Sequence, residues 1–392
     1  MQTKKIFVLE ILIMQSLSGI LVISIEQAVA APLCTARLAD AGARVIKVER
    51  REGDFARNYD NSIKGESSYF TWLNQGKESI ILDFDKTEDR ELLLAMIDKA
   101  DVFVQNLRPD ALKKHKIDSE SLRKRNLNLI TCDISGFGED KKSKTYKAYD
   151  LIVQAESGLI AVSGAPKEPG RIGISICDIG AGITSYTAVL EGLVRKYRGF
   201  GGSSFKTSLF GVASEWMTVP LAQHEYGGRN IKPAGLKHPS IAPYGAFSTK
   251  DKDLIIISIQ NEREWKIFCK NILENGKIAL DKRFSTNNMR VKNRIQLDGL
   301  IQSQFSKKMS EYLKEKLEVA SIAFGEVNDL EGLANHFAMN RQLMHTSSNQ
   351  EVFFPSNPLK RSFLDDVEEK KILRAPLLGE NTESIRNEFT KI

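Results

Sequence analysis

Cysteine is scarce and scattered in this 392-residue chain. Cys34, Cys132, Cys177 and Cys269 form no CxxC pair, so neither a zinc site nor a disulfide framework is signalled. Such usage fits a reducing compartment, and a cytoplasmic location is expected. Histidine is little used too: His115, His224, His238, His336 and His345 show no HExxH or other ligand spacing, and no metal is expected. No GxGxxG lies between strand and helix, which leaves an ordinary dinucleotide-binding site unsupported. Long polar low-complexity tracts and internal repeats are also missing, so neither a disordered chain nor a repeat array is indicated. No membrane partner is expected.

What is present is a folded, core-forming composition, 42% hydrophobic and 27% charged, with length enough for two domains or one large domain with an insertion. The net charge of +6 and pI near 8.9 favour an anionic ligand. The excess is spread over many positions and no DNA- or RNA-binding motif accompanies it, so nucleic acid is not an expected partner.

Residues 1–33 imitate a secretory signal: Lys4 and Lys5 precede the apolar run Ile6 to Met14, and Ala28-Val29-Ala30 resembles a cleavage site. Glu10 interrupts that run and Glu26 stands close to the supposed cleavage point. Residues after Gly19 read better as a fold element, leaving residues 1–17 as an extension. Ile20 to Ile25 is a strand, Pro32 to Ala41 a helix, and Ala43 to Val48 a second strand ending at Glu49-Arg50. The alternation continues through Ser79 to Asp83, Thr87 to Ala100, Asp101 to Asn106, Ser119 to Arg125 and Leu129 to Ile134, closed by Gly136-Phe137-Gly138. Repeated strand and helix of this kind build an α/β domain with a mostly parallel sheet, whose ligands sit beyond the carboxyl ends of the strands.

The stretch Arg171 to Leu193 carries the candidate catalytic group. Ile172, Ile174 and Ile176 alternate with small residues as in a buried strand, while Ile183, Tyr186, Val189, Leu190 and Leu193 recur at helical spacing. Asp178 then stands at the junction, where an aspartate is commonly a helix N-cap. Gly180 and Gly182 allow another backbone or a ligand to approach closely. Beyond the strand Ser204 to Leu209, residues 211–226 read as a helical linker. Residues 227–330 read as a smaller α+β domain with a hairpin of Ala246 to Thr249 and Leu254 to Ser258, and the chain reads as irregular from Phe324 onward until a short final helix that starts at Thr382. The domain scheme is thus an extension 1–17, a large domain 18–210, a linker 211–226, a small domain 227–330 and a return segment 331–392.

Eight ordered motifs carry a family resemblance: AAPLCTARLADAGARVIKVER at 30–50, LNQGKESIILD at 73–83, DVFVQNLRPDAL at 101–112, ISGFG at 134–138, KAYDLIVQAESGL at 147–159, ICDIGAG at 176–182, HPSIAPYGAF at 238–247 and APLLGENT at 375–382. Over about residues 19–385 the chain resembles the family III CoA-transferases, the group that includes formyl-CoA transferase, succinate–hydroxymethylglutarate CoA-transferase and 2-methylacyl-CoA racemases.

The resemblance implies an interlocked homodimer, a large domain of dinucleotide-fold type, and a C-terminus that returns to it. It implies that Asp178 is a nucleophile that carries CoA as an aspartyl-CoA thioester from an acyl-CoA to a carboxylic acid, without a permanently bound cofactor. It further implies CoA contacts at Val29, Ala30, Arg50, Leu82, Asp83, Phe84, Asp85, Asn106, Leu107, Arg108, Lys114, Lys147 and Tyr149, with Arg50, Lys114 and Lys147 facing phosphates. A helix N-terminus at Asp178 would favour its ionised form and offer N–H groups to an oxyanion. Racemase members carry His-Asp where this chain has Tyr149-Asp150, which argues for transfer over racemisation. Formyl-CoA transferase's glycine-rich closing loop has no counterpart, which argues against formate and oxalate and leaves a dicarboxylate such as succinate, citramalate or itaconate. The alternatives are a 2-methylacyl-CoA racemase and a CoA-binding protein without catalysis.

Overall fold

The structure is a computed structural model that describes residues 15–362 and 373–390, apart from Pro109, Glu139, Lys141, Lys144 and Thr145. The extension read at residues 1–17 lies almost wholly outside the described residues. Ile160–Gly170 together with Asn230–Met339 make one compact unit, and the remaining described residues make the other.

In the larger unit, runs of β-branched and aromatic residues form strands β1 Leu21–Ile25, β2 Arg44–Glu49, β3 Glu78–Ile81, β4 Val102–Gln105, β5 Ile130–Ser135 and β6 Ser204–Ser208. All pairings are parallel and the order is β3-β2-β1-β4-β5-β6. Strand order therefore reverses between β1 and β4, the position where α/β sheets open a crevice beyond the carboxyl ends. The helices are α1 Ala30–Asp40, α2 Ser68–Leu73, α3 Thr87–Lys99, α4 Ser119–Arg125, α5 Asp150–Glu156, α6 Ile176–Arg195, α7 Leu209–Trp216 and α8 Thr218–Glu225.

The two-residue period of the strands divides the core. Val22, Val45, Val102 and Val104 face the layer of α1 and α6, whereas Ile23, Ile46 and Phe103 face α3 and α4. Helix α3 obeys the same logic: Leu92, Leu93, Met96 and Ile97 are buried, Glu88 and Asp89 sit in its first turn, and Lys99 lies in its last. Asp118 caps α4 by accepting from the Ser121 N–H.

Helices α1 and α6 pack through glycine. A Cβ on Gly182 would lie 2.6 Å from the Ala30 carbonyl oxygen, and one on Gly180 would strike the Trp216 ring. The close approach anticipated at these glycines is thus made by the protein itself, by α1 and α7.

In the smaller unit, β7 Tyr244–Ser248, β8 Leu254–Ser258 and β9 Ala323–Glu326 form an antiparallel sheet. Helices α9 Glu262–Asn271, α10 Arg294–Phe305 and α11 Ser310–Val319 bring Trp265, Phe268, Phe305 and Leu313 into one core with Phe247, Ile255 and Ile257 of the sheet. The chain then returns to the larger unit as a hairpin, β10 Arg341–His345 with β11 Glu351–Pro355, and a final helix α12 Thr382–Thr390. Gly379 to Thr382 serve the outer edge of β3: Asn381 exchanges bonds with Ser79, and Thr382 Oγ1 accepts from the Ile81 N–H at 3.1 Å. Among the described residues no helix is long and apolar enough to cross a membrane.

Three expectations need correction. Residues 172–176 form no strand; α6 already begins at Ile176, so Asp178 lies inside its first turn. Residues 211–226 are helical as read, in α7 and α8, but they lie within the larger unit rather than between the two. The chain read as irregular from Phe324 holds the end of β9 and the β10–β11 hairpin, while the final helix expected from Thr382 is present as α12.

Alanine for glycine inside a helix normally stabilises by about 1 kcal/mol. At Gly182 the sign reverses: we expect Gly182→Ala to lose roughly 1–3 kcal/mol in urea unfolding, because α1 has to shift. A variant as stable as the parent would refute the packing described here.

Candidate active site

Asp178 is not the cap of its helix. The residue in the N-cap position is Ser175, whose side chain makes no capping bond. The cap comes from α5 instead, where Asp150 Oδ1 accepts from the Cys177 N–H at 2.7 Å and the Asp178 N–H at 3.2 Å. Asp150 Oδ2 accepts from Gln154 Nε2 at 2.6 Å, one turn along α5. Gln154 also binds the segment read as a strand: its Oε1 accepts from the Ile172 N–H, and its Nε2 donates to the Ile172 and Ile174 carbonyls. The main chain of Ile172 and Ile174 thus finds a side-chain partner in place of a sheet.

The remaining N–H groups of that turn are also used, Ile176 bonding to Ile174 O and Ile179 to Ser175 O. Among the described residues no group donates to the half-buried Asp178 carboxylate. Burial first, and the Asp150 charge second, push its pKa up to about 7. The expected N-terminal stabilisation of its anion is therefore overturned, since Asp150 has taken that field. Neighbouring Cys177 is no rival nucleophile, because burial and the same two carboxylates push its thiol up to about 12.

Ile179 seats the turn against the cluster of Val29, Leu33 and Leu73, on which Ala28, Tyr69 and Trp72 also pack. Tyr69 meets Tyr59 edge-on at 5.5 Å. The Tyr59 phenol is raised by burial and then by the charges of Asp54 and Asp178, with Tyr149 and Tyr69 beside it. Tyr59 thus links the carboxylate to the two other phenols.

Below this wall lies a network of buried charge. Lys77 Nζ reaches Glu26 Oε1 at 2.7 Å and Lys47 Nζ reaches Asp54 Oδ2 at 2.8 Å, all four side chains being fully enclosed. Burial alone would raise the Glu26 carboxyl, but Lys77 and Lys47 outweigh it and hold it low. Glu49, paired with Arg57 and bonded by Ser79, falls to about 2 as these partners overcome its burial. Asp54 Oδ1 then accepts from the N–H of Ala28, a non-glycine residue at φ 64°. Asn106 clasps Gln27 from the other side, giving and receiving one bond each. The turn after β1 is held on both flanks.

Beyond that turn a cleft of about 950 Å³ opens at the carboxyl ends of β1 to β4. Its cationic lining comprises Arg50, Arg51, Lys86, Lys114 and Arg386.

Comparison with known proteins identifies the family. The family model "CoA-transferase family III" matches residues 17–382. The chain belongs to that family. It is 32% identical to the acetyl-CoA:oxalate CoA-transferase of Acetobacter aceti, over 95% of each chain, and 34% identical to the succinate–glutarate CoA-transferase of Agrobacterium fabrum, over 80% of each. A CAIB/BAIF family protein from Brucella suis superposes with a TM-score of 0.80 at 30% identity, covering 96% of this chain and 99% of that one. This family III CoA-transferase is therefore an enzyme whose substrates are CoA thioesters and carboxylates.

The residues assigned to CoA fall into two groups in the transferase. Arg50, Leu82, Asp83, Phe84, Asp85, Leu107 and Lys114 line the cleft. Val29 and Ala30 are buried at the start of α1, beside Ile179 and Gly182 respectively. Asn106 holds the Gln27 turn, and Arg108 is exposed beyond it. Lys147 and Tyr149 are exposed just before α5, outside the cleft lining, with Tyr149 facing Tyr59. Sequence reasoning assigned no role to Asp150, Gln154, Tyr59 or the buried network. Only the four-residue spacing of Asp150 and Gln154 hinted at a polar pair on one helix face.

Two outcomes test these electrostatics. Glu26→Ala strands Lys77, and we expect a loss of roughly 3–5 kcal/mol by chemical denaturation. A folded-state pKa raised to about 7 means that Asp178 destabilises the fold progressively as pH rises from about 4 to 7. The Tm gain from Asp178→Asn should therefore be larger at pH 8 than at pH 5, and a pH-independent gain would contradict the raised pKa.

Proposed function

We propose that the enzyme transfers CoA through Asp178. A carboxylate oxygen of Asp178 attacks the thioester carbonyl, the C–S bond breaks, and a mixed anhydride and CoA thiolate form. The thiolate then attacks the aspartyl carbonyl, releasing the first acid as its carboxylate and leaving an aspartyl-CoA thioester. The incoming acid repeats the two steps in reverse and leaves with CoA. Anhydride and thioester are exchanged in turn, with no net proton or electron change. The observation that carries this reading is the Asp178 carboxylate itself, half-buried, without a donor among the described residues, and raised to about 7 by burial and Asp150. A nucleophile that is neither capped nor ion-paired is not quenched in its ground state.

In this reading CoA lies in the cleft, its phosphates near Arg50 and Lys114 and its thioester end towards the Ala28-Val29 turn, with Lys147 and Tyr149 on the opposite side of Asp178. The acceptor is a small dicarboxylate. One relative's name carries oxalate and another's succinate and glutarate. Oxalate therefore stands in the candidate class beside succinate, citramalate and itaconate. An interlocked homodimer in the cytoplasm completes the proposal. Racemisation is less well supported, because Tyr149 stands where its histidine base would be.

Intact-mass measurement after mixing with acetyl-CoA and succinyl-CoA should reveal a CoA adduct that hydroxylamine removes. Asp178→Ala should form none and should lower turnover on the order of 10³-fold or more. An adduct on the Asp178→Ala protein would overturn the assignment.

A further inference from the structure

We propose that Asp150 is a positioning residue for the transferase reaction: it occupies the N–H groups of the Asp178 turn so that the Asp178 carboxylate is left without donors and aimed at the thioester. The proposal rests on Asp178 being the nucleophile. Its geometry is independent of that reading. Asp150 is buried, and one of its oxygens accepts from both Cys177 N–H and Asp178 N–H, while the other is held by Gln154.

An acidic residue in the first turn of a helix ordinarily turns back on the free N–H groups, which stabilise its anion and blunt its reactivity. Asp178 occupies such a position. With Asp150 already bound to the N–H groups of residues 177 and 178, that local bond is closed to it. The carboxylate of Asp150 also cancels the positive end of the helix as felt at residue 178. One side chain thus sets both the direction and the basicity of another.

Gln154 makes Asp150 rigid rather than merely present. Its amide is fixed by the main chain at Ile172 and Ile174, so its Nε2 approaches Asp150 from a set direction. Among the described residues the titratable groups that act with Asp178 include Asp150 at the start of α5, Tyr59 from the loop after β2, with Tyr149 and Tyr69 around Tyr59, and Cys177 of its own helix. Of these, Asp150 is the one that is a carboxylate in hydrogen-bond contact with the turn.

The test is single-turnover formation of the CoA adduct across pH 5 to 9, with succinyl-CoA or acetyl-CoA as donor, in the full-length enzyme. Asp150→Asn keeps an acceptor for the two N–H groups and removes the charge. Its acid limb should move down by about one pH unit or more, and its plateau rate should fall roughly tenfold as the nucleophile loses basicity. Asp150→Ser, a small neutral capping residue, should move the limb in the same direction. Asp150→Ala removes the acceptor as well, and its plateau should fall roughly 100-fold with the KM for the donor little changed. A limb and plateau identical to the parent's in Asp150→Asn and Asp150→Ser would overturn the proposal, as would a defect confined to KM. Asp178→Asn is run alongside. Loss of the adduct there with an unaltered Asp150→Asn profile rejects only the role of Asp150, whereas an adduct that survives Asp178→Asn rejects the nucleophile itself.

Discussion

The enclosed quartet of Glu26, Lys77, Lys47 and Asp54 is the constraint on which the larger unit depends. Charges this deeply buried are tolerated only while every partner stays in place, because an orphaned one bears the full cost of desolvation. The four residues come from the ends of β1 and β2 and from the segments that follow β2 and precede β3, so these meet in one geometry. Asp54 then holds Ala28 in the left-handed region, and that turn fixes where α1 begins. Helix α6 rests on α1 through Gly182, and Asp178 follows. A pair of ion contacts under the sheet edge thereby sets the position of a carboxylate on another helix.

Helix N-termini in many enzymes hold an anion on free N–H groups. Here that resource is spent internally on Asp150, and the catalytic carboxylate of the proposed reaction stands apart from it. Cations are gathered instead around the cleft, in Arg50, Arg51, Lys86, Lys114 and Arg386. The cleft pairs its charges, Arg50 with Glu52, Lys114 with Asp85 and Arg386 with Asp89, whereas at the start of α6 two carboxylates stand together, Asp150 on the N–H groups and Asp178 beside it.

Much of the sheet was legible in the sequence because the strands alternate cleanly with helices, and Ser119–Arg125 was read to the residue. The cleft lining was legible through strand ends, where Arg50, Leu82 to Asp85 and Leu107 fall. The start of α6 was not. Ile172, Ile174 and Ile176 have the period of a strand, yet the partner of that segment is the Gln154 side chain, and a side chain leaves no periodic signal. The cap of α6 was equally hidden, since Asp150 lies 28 residues upstream and local capping patterns look only a few residues away. Buried Lys47 and Lys77 were unreadable for a related reason: lysine is so seldom enclosed that only the fold reveals its partners.

The edge of β3 has one more consequence. Its partners, Gly379 to Thr382, and the cleft residues Thr382 and Arg386 are among the last fourteen residues of the chain. One short segment thus both covers the free edge of β3 and supplies cleft wall. Cutting the chain before Gly379 would keep all six strands yet cost edge protection and ligand capture together.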